Sequence, residues 1–440
     1  MLEISGKASR FCDGRTRRNF LQAGFLGLGG LSLAEVLSAR AASPTSARSA
    51  SQTSVIFVEL AGGPTQFETY DPKPQAPLEY RGPFTAIRTR EPGFWFSEHM
   101  AAQARIVDKL TIVRSIHHTH NSHDPSSHLT QTGYYKTGPK GGPNQMPCIG
   151  SVIARFRGPN HPSLPGYVAV PQIMRNGQAA QLGRAYNPFE TISDPNSGSF
   201  QVRNLGLASG LSLARLDDRR ALLTSLDSHR RLTDLAGSAV AVDQFSRQAF
   251  DLVTASQARE AFDISREDSR IRDRYGRNTV GQSLLLARRL VEAGVTCVTV
   301  RATGWDDHNK LADGLRQRGP QFDQGIAALI SDLAQRGLSH EVLVVAMGEF
   351  GRTPRVNQNA GRDHWGALMS VLLAGGGLRP GILGSSNSKG EEPTSHAYRP
   401  ENVLATVYRH LGIDPKQTFA DFSGRPRYLL EERDVIQEII

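Results

Sequence analysis

The chain has 440 residues, with 51 Lys/Arg against 42 Asp/Glu and a formal net charge of +9. The arginines are scattered and form no stripe, which argues against a nucleic-acid-binding face. Three cysteines are too few for a disulfide scaffold, and no segment is long and apolar enough to remain as a membrane span once a leader is removed.

Residues 1–41 read as a twin-arginine signal peptide. Thr16-Arg17-Arg18-Asn19-Phe20-Leu21-Gln22 precedes a mildly apolar stretch, Ala23 to Leu37, broken by glycines. Ala39-Arg40-Ala41 supplies small residues for cleavage. The expected destination is the periplasm or the extracellular space. Residues 42–53 form a linker of small residues, and 54–440 are expected to make one α/β domain.

The first strand is Val55 to Leu60, a continuous apolar run of the kind buried on both faces of a parallel sheet. It ends in Gly62-Gly63-Pro64, and a Pro/Gly-rich excursion covers 66–98. A helix is predicted for Glu98 to Lys109 and a strand for Leu110 to Ile116. Five of the thirteen histidines follow at once, at 117, 118, 120, 123 and 128. In His123-Asp124-Pro125-Ser126-Ser127, Asp124 is the expected cap of a short helix ending near Gly133, with Pro125 in its first position. Tyr167 to Val170 is a further strand. Residues 211–293 change to helical spacing of apolar residues and are read as a helical insertion or cap. Strands then resume at Val295 to Val300, Glu341 to Met347 and Met369 to Ala374. Helices are predicted for Pro320 to Arg336 and Glu401 to Leu411. Strands interleaved with helices predict a doubly wound, mostly parallel sheet with helices on both faces.

Loops at the carboxyl ends of such strands converge on one crevice. The imidazoles and carboxylates gathered there, without cysteine, suit a divalent ion such as Zn or Mn. Candidate ligands are Glu68, His123, Asp124, Asp306, His308, Asp363 and His364, with Asp71, His120 and His128 as reserves. Asp306 and His308, two residues apart at a strand end, would point to the same side, with Asp307 facing away and Trp305 walling the site. Ser126 at a helix N-terminus is a candidate nucleophile. Arg352 is placed either to fork onto an oxyanion or to pair with Glu349.

The twin-arginine leader, Gly62-Gly63-Pro64-Thr65, Gly304-Trp305-Asp306-Asp307-His308, Gly348-Glu349-Phe350-Gly351-Arg352-Thr353-Pro354-Arg355, Gly361-Arg362-Asp363-His364-Trp365-Gly366 and Leu411-Gly412-Ile413-Asp414 occur in this order. Together they resemble the exported family catalogued as domain of unknown function 1501, in the alkaline phosphatase and sulfatase superfamily. The resemblance spans almost the whole mature chain. It implies an alkaline-phosphatase-like core with two divalent ions (Zn, Mn or Ca) held by Asp and His. Asp363 and His364 then match the late Asp-His ligand pair, and Asp306 and His308 an Asp and a His on the neighbouring ion. The chain departs from the superfamily in having Glu68 or Asp71 where an Asp follows the first strand. It also lacks the Cys/Ser-x-Pro-x-Arg sulfatase signature, and His396 alone is left for the last His ligand. The expected function is an exported metal-dependent hydrolase of a small anionic ester or of a sulfated or phosphorylated glycan. The alternative is a degenerate metal-binding member that binds a glycan or protein partner without turnover.

Overall fold

A strand covered on both faces has no polar side to present, so the central strands are runs of Val, Ile and Leu. The computed structural model describes residues 52–137, 141–202 and 255–440, with Leu205, Arg215 and Asp218. Its main sheet has eight strands: β1 (Ser54–Leu60), β2 (Thr111–Ile116), β3 (Tyr167–Val170), β4 (Phe189–Glu190), β5 (Cys297–Ala302), β6 (Val342–Met347), β7 (Met369–Gly375) and β8 (Gly381–Leu383). They lie in the order β8-β2-β7-β6-β1-β5-β3-β4. Neighbours are parallel except around β7, which runs against both β2 and β6.

Five longer helices flank the sheet: α1 (His123–Thr132), α2 (Ile149–Phe156), α3 (Thr279–Ala293), α4 (Leu311–Gln335) and α5 (Pro400–His410). Side chains alternate across β1, so Ile56, Val58 and Leu60 join α3 and α4 in one core. Val55 and Phe57 join α2 and α5 in the other. Each fully buried Val, Leu or Ile contributes roughly 1.5–3 kcal/mol. The wholly buried run Val342–Met347 therefore anchors both layers at once.

Most predicted elements fall within two residues of those observed, and three differences are informative. Helix α4 starts at Leu311, nine residues before the predicted Pro320, which lies inside it. Leu311 and Leu315 are 1% and 0% exposed and continue the stripe of Phe322 and Ile326. Their burial offsets the interior proline, whose cost is about 3 kcal/mol. Helix α1 is capped at Ser122 and begins at His123, leaving Pro125 within the first turn, where its missing N–H is harmless. The edge strands β4 and β8 are too short to leave a pattern. Of the region 211–293, nearly all of Leu211 to Asp234 and most of Val240 to Glu260 lie outside the described residues. The helix Ser256–Phe262 and α3 are described, and α3 packs on β5. Cys148 and Cys297 are buried free thiols. No described helix is long and apolar enough to cross a membrane.

Register positions the crevice. Leu60 pairs with Ala302 and Glu59 with Met347, so β1, β5 and β6 end at one edge. Because β7 is antiparallel, its first residue Met369 lies opposite Ile116, the last residue of β2. The segment that precedes β7 therefore meets the loops that follow β1, β2, β5 and β6.

Candidate metal centre

Close backbone approach brings these loops together. Gly62 has φ +118, and a Cβ there would run into the backbone of Trp305 and Asp306. A side chain at Gly361 would overlap the carbonyl of His308. Only glycine lets the β1 and β5 loops, and the two histidine-bearing loops, lie against each other. The Gly62 N–H donates to both carboxylate oxygens of Glu349, each at 3.0 Å. Buried Phe350 puts its ring against His364 at 4.3 Å and His123 at 5.2 Å.

Three imidazoles surround the carboxylate of Asp306. His308 Nε2 and His364 Nε2 are each 3.1 Å from Oδ1, and His123 Nε2 is 3.1 Å from Oδ2. Each ring donates its other nitrogen to an oxygen. His308 Nδ1–H goes to Asp363 at 2.7 Å, His364 Nδ1–H to the Asn121 carbonyl at 3.0 Å, and His123 Nδ1–H to Glu349 at 2.7 Å. With Nδ1 carrying one proton, all three Nε2 atoms turn toward an anionic oxygen, an approach that a second ring proton or a bound cation satisfies. That arrangement calls for positive charge between them. His123, Asp306 and His364 each offer a ligand atom within 4.8 Å of the others.

The electrostatics are divided. Burial raises the Asp306 carboxyl, but hydrogen bonds from Arg352 and His364 outweigh it and hold the group well below the usual carboxylate range. The Glu349 carboxylate beside His123 raises that imidazole. Burial lowers His364. Side-chain exposures of 42% for Asp306 and 37% for His308 leave the cluster open to solvent.

Of the predicted site residues, His123, Asp306, His308, Asp363 and His364 are brought together. Glu68 and Asp124 are not. Glu68 is buried against the buried guanidinium of Arg362, with Nη2 to Oε1 at 2.8 Å, and takes the Thr65 hydroxyl. Asp124 is held by Lys136 at 3.0 Å, Gly141 N at 2.9 Å and Asn176. Arg352, its side chain 1% exposed, gives its guanidinium to Asp306 and to the carbonyls of Gly62, Gly63, Trp305 and Arg362. It pairs with Asp306 rather than Glu349 and presents no open face to an oxyanion. Ser126 is fully buried, its hydroxyl turned to the His120 carbonyl at 3.3 Å.

The reserves are also elsewhere. His120 meets Tyr135 edge to face at 4.7 Å, and buried His128 donates to the Tyr134 carbonyl at 2.7 Å. Asp71 pairs with Arg114 and Lys73, and His396 faces Glu438 at 3.8 Å. Asp307 does face away, onto Arg318. Trp305 is 2% exposed and packs inward on Phe322. Sequence reasoning named Glu349 only as a partner for Arg352 and overlooked Asn121. The available signal for Glu349 was an acid directly beyond a buried strand, the same signal that pointed to Asp306.

Residues 52–440 match the family described as "Protein of unknown function (DUF1501)", and the chain belongs to that family. A search of the curated proteins finds no match. Among solved structures, the chain is similar to Ps i-CgsB at 11% identity, covering 82% of this chain and 72% of that one, with a TM-score of 0.41. It is similar to the PsFucS1 sulfatase from Pseudoalteromonas sp. at 11% identity, covering 82% and 68%, with a TM-score of 0.37. The phosphonate monoester hydrolase SpPMH from Silicibacter pomeroyi matches at 13% identity, covering 83% and 74%, with a TM-score of 0.36.

Proposed function

We propose that this protein is an exported, metal-dependent hydrolase of sulfate or phosphate esters, with Asp306, His308 and His364 as the core of its metal site. One observation carries the reading: three imidazoles, each with Nδ1–H donated to an oxygen, aim Nε2 at a single carboxylate. The donor set fits a divalent ion. His308 Nε2, His364 Nε2 and Asp306 Oδ1 are 2.9 to 3.1 Å apart. Nitrogen and oxygen ligands at about 2.0–2.2 Å from a tetrahedral zinc would stand only slightly farther from one another. A second ion would take His123 Nε2 and the other oxygen of Asp306. Bound there, divalent ions would supply Lewis-acid polarisation and stabilise charge on an anionic ester.

The protein's own residues prepare that chemistry. Asp363, Asn121 and Glu349 fix the tautomers, so that no imidazole must rotate or exchange a proton before use. Arg352 keeps Asp306 ionised and oriented from below. Phe350 fills the space behind His123 and His364, which keeps water off their inner faces.

A second reading, a metal-holding protein without turnover, draws support from Ser126, whose buried hydroxyl faces away from the cluster. The deciding experiment is elemental analysis of the folded chain, with p-nitrophenyl sulfate and phosphate assayed on the same sample. Bound divalent metal with turnover establishes the hydrolase. Metal without turnover on a broad ester panel favours the second reading, and absence of metal sinks both.

A further inference from the structure

At the edge of the sheet away from the metal centre, the C-terminal end of α4, the start of β6 and the turn from β7 to β8 enclose a cavity of about 270 Å³. Its walls are apolar, formed by Ile330, Leu333, Val342, Val344 and Leu378. Its corners are small, with Ala334 on α4, Ala374 near the end of β7, and Gly375 and Gly377 in the turn. Gly375, Gly376 and Gly377 have φ of 76, 62 and 77, and a Cβ at Gly375 would run into the Val342 carbonyl. The turn therefore brings no side chain to fill the space.

An apolar cavity of about 150 Å³ already admits a benzene-sized guest, and this one is larger. Val342, Val344 and Ala374 are 3%, 1% and 2% exposed, so the sheet gives it a fixed floor. The rim is polar and basic. Asp108 is the one acid in the lining and is already paired with Lys109 at 2.6 Å, and His340 lies beside them. Arg379 stands between the lining residues Leu378 and Pro380. Its backbone is held on both sides, N–H to the Ile439 carbonyl at 2.8 Å and carbonyl to the Thr111 hydroxyl at 2.9 Å. Arg379 is itself exposed and makes no ion pair among the described residues. A guest that buries an apolar body here gains by leaving water, and a negative head on it would meet cations and no unpaired acid of the lining.

We propose that this cavity binds a small amphiphilic acid, its aliphatic or aromatic body inside and its carboxylate at the rim beside Arg379. Strand β6 spans about 16 Å between Val342 at the cavity and Met347 at the crevice. The site is therefore distinct from the imidazole cluster and does not depend on the ester-hydrolase reading.

Calorimetric titration of the full-length protein with octanoate, benzoate and the neutral control octanol tests this. At least one of the two acids should bind, and octanoate should bind more tightly than octanol. Arg379→Gln should weaken the acid by about three- to fivefold, the scale of one exposed ion pair, and leave octanol unchanged. Ala334→Phe, at a half-buried lining position, should fill the mouth and abolish binding of all three. Leu378→Trp repeats the block from a different element, and the thermal midpoint without ligand checks that each variant is folded. If neither acid binds, or if both blocked variants fold and still bind, the site is overturned. If octanol binds as tightly as octanoate and Arg379→Gln changes neither, the acidic class of ligand is overturned. Ester turnover on the p-nitrophenyl substrates would survive either result, so the two readings fail separately.

Discussion

His308 and His364 face each other Nε2 to Nε2 across 2.9 Å, each with its outer nitrogen tied to an oxygen. Two lone pairs at that distance repel unless a proton or a metal ion lies between them, so the pair is a direct target. His308→Ala and His364→Ala should each abolish tight binding at the core site, read by competition with a chromophoric chelator. Asp363→Asn acts only through His308 and should weaken affinity by roughly 10- to 100-fold. Full metal retention in both alanine variants would show that the imidazoles serve another purpose.

The two sides of the centre should lose metal in sequence on acidification. Glu349 raises His123, whereas burial lowers His364. A raised imidazole takes its proton at higher pH, so protons compete first at His123. Metal content followed by equilibrium dialysis from about pH 8 to about pH 5 should fall in two steps. In Glu349→Gln the first step should move to lower pH. A single step unaffected by Glu349→Gln would refute the assignment of His123 as a ligand.

Acid should also destabilise the fold through His118, which lies outside the cluster proper. Its ring is satisfied as a neutral species, with Nε2 donating to the Glu349 carbonyl at 2.7 Å and Nδ1 accepting from His120 N at 3.2 Å. Burial pushes it from 6.5 down to about 4. Between those values the unfolded chain binds the proton and the folded one does not, so stability rises with pH across the window. The contribution is complete above about pH 6.5, and on the order of 3 kcal/mol is lost as pH falls to about 4. Denaturant unfolding of His118→Gln against the parent at both ends of the window should show a smaller acid loss in the variant. Parallel curves would rule this origin out.

Glu68 separates a structural role from a ligand role. Among the described residues it is the only carboxylate on Arg362, which also donates to the carbonyls of Thr353, Pro354 and Tyr80. Breaking such a buried pair costs about 3–5 kcal/mol. Glu68→Gln should therefore lower the thermal midpoint while leaving metal stoichiometry intact at low temperature. Loss of an ion without loss of stability would restore Glu68 as a ligand.

The central strands were legible because burial on both faces writes an unbroken apolar run, as in β1 and β6. Asp306, His308, Asp363 and His364 were legible because each lies just beyond or before such a run. The antiparallel sense of β7 was not, since an apolar strand reads the same in either direction. Glu68 and Asp124 misled for a shared reason: a carboxylate near a strand end looks the same whether an ion or a guanidinium or ammonium group answers it. Arg362 and Lys136 are what answer them here, and only the fold brings those partners near. Arg352 misled in the opposite way, because a sequence cannot show that a guanidinium is enclosed by backbone carbonyls.

The two halves of the centre come from distant parts of the chain. Asn121 and His364 are separated by 243 residues, and Gly62 and Glu349 by 287. Such contacts close long loops and form late in folding. No early intermediate with only the N-terminal strands in place can assemble the set His123, Asp306, His308 and His364. Metal capture at the proposed site would therefore report completion of the sheet, and the kinetics of ion uptake during refolding would measure when β7 slots between β2 and β6.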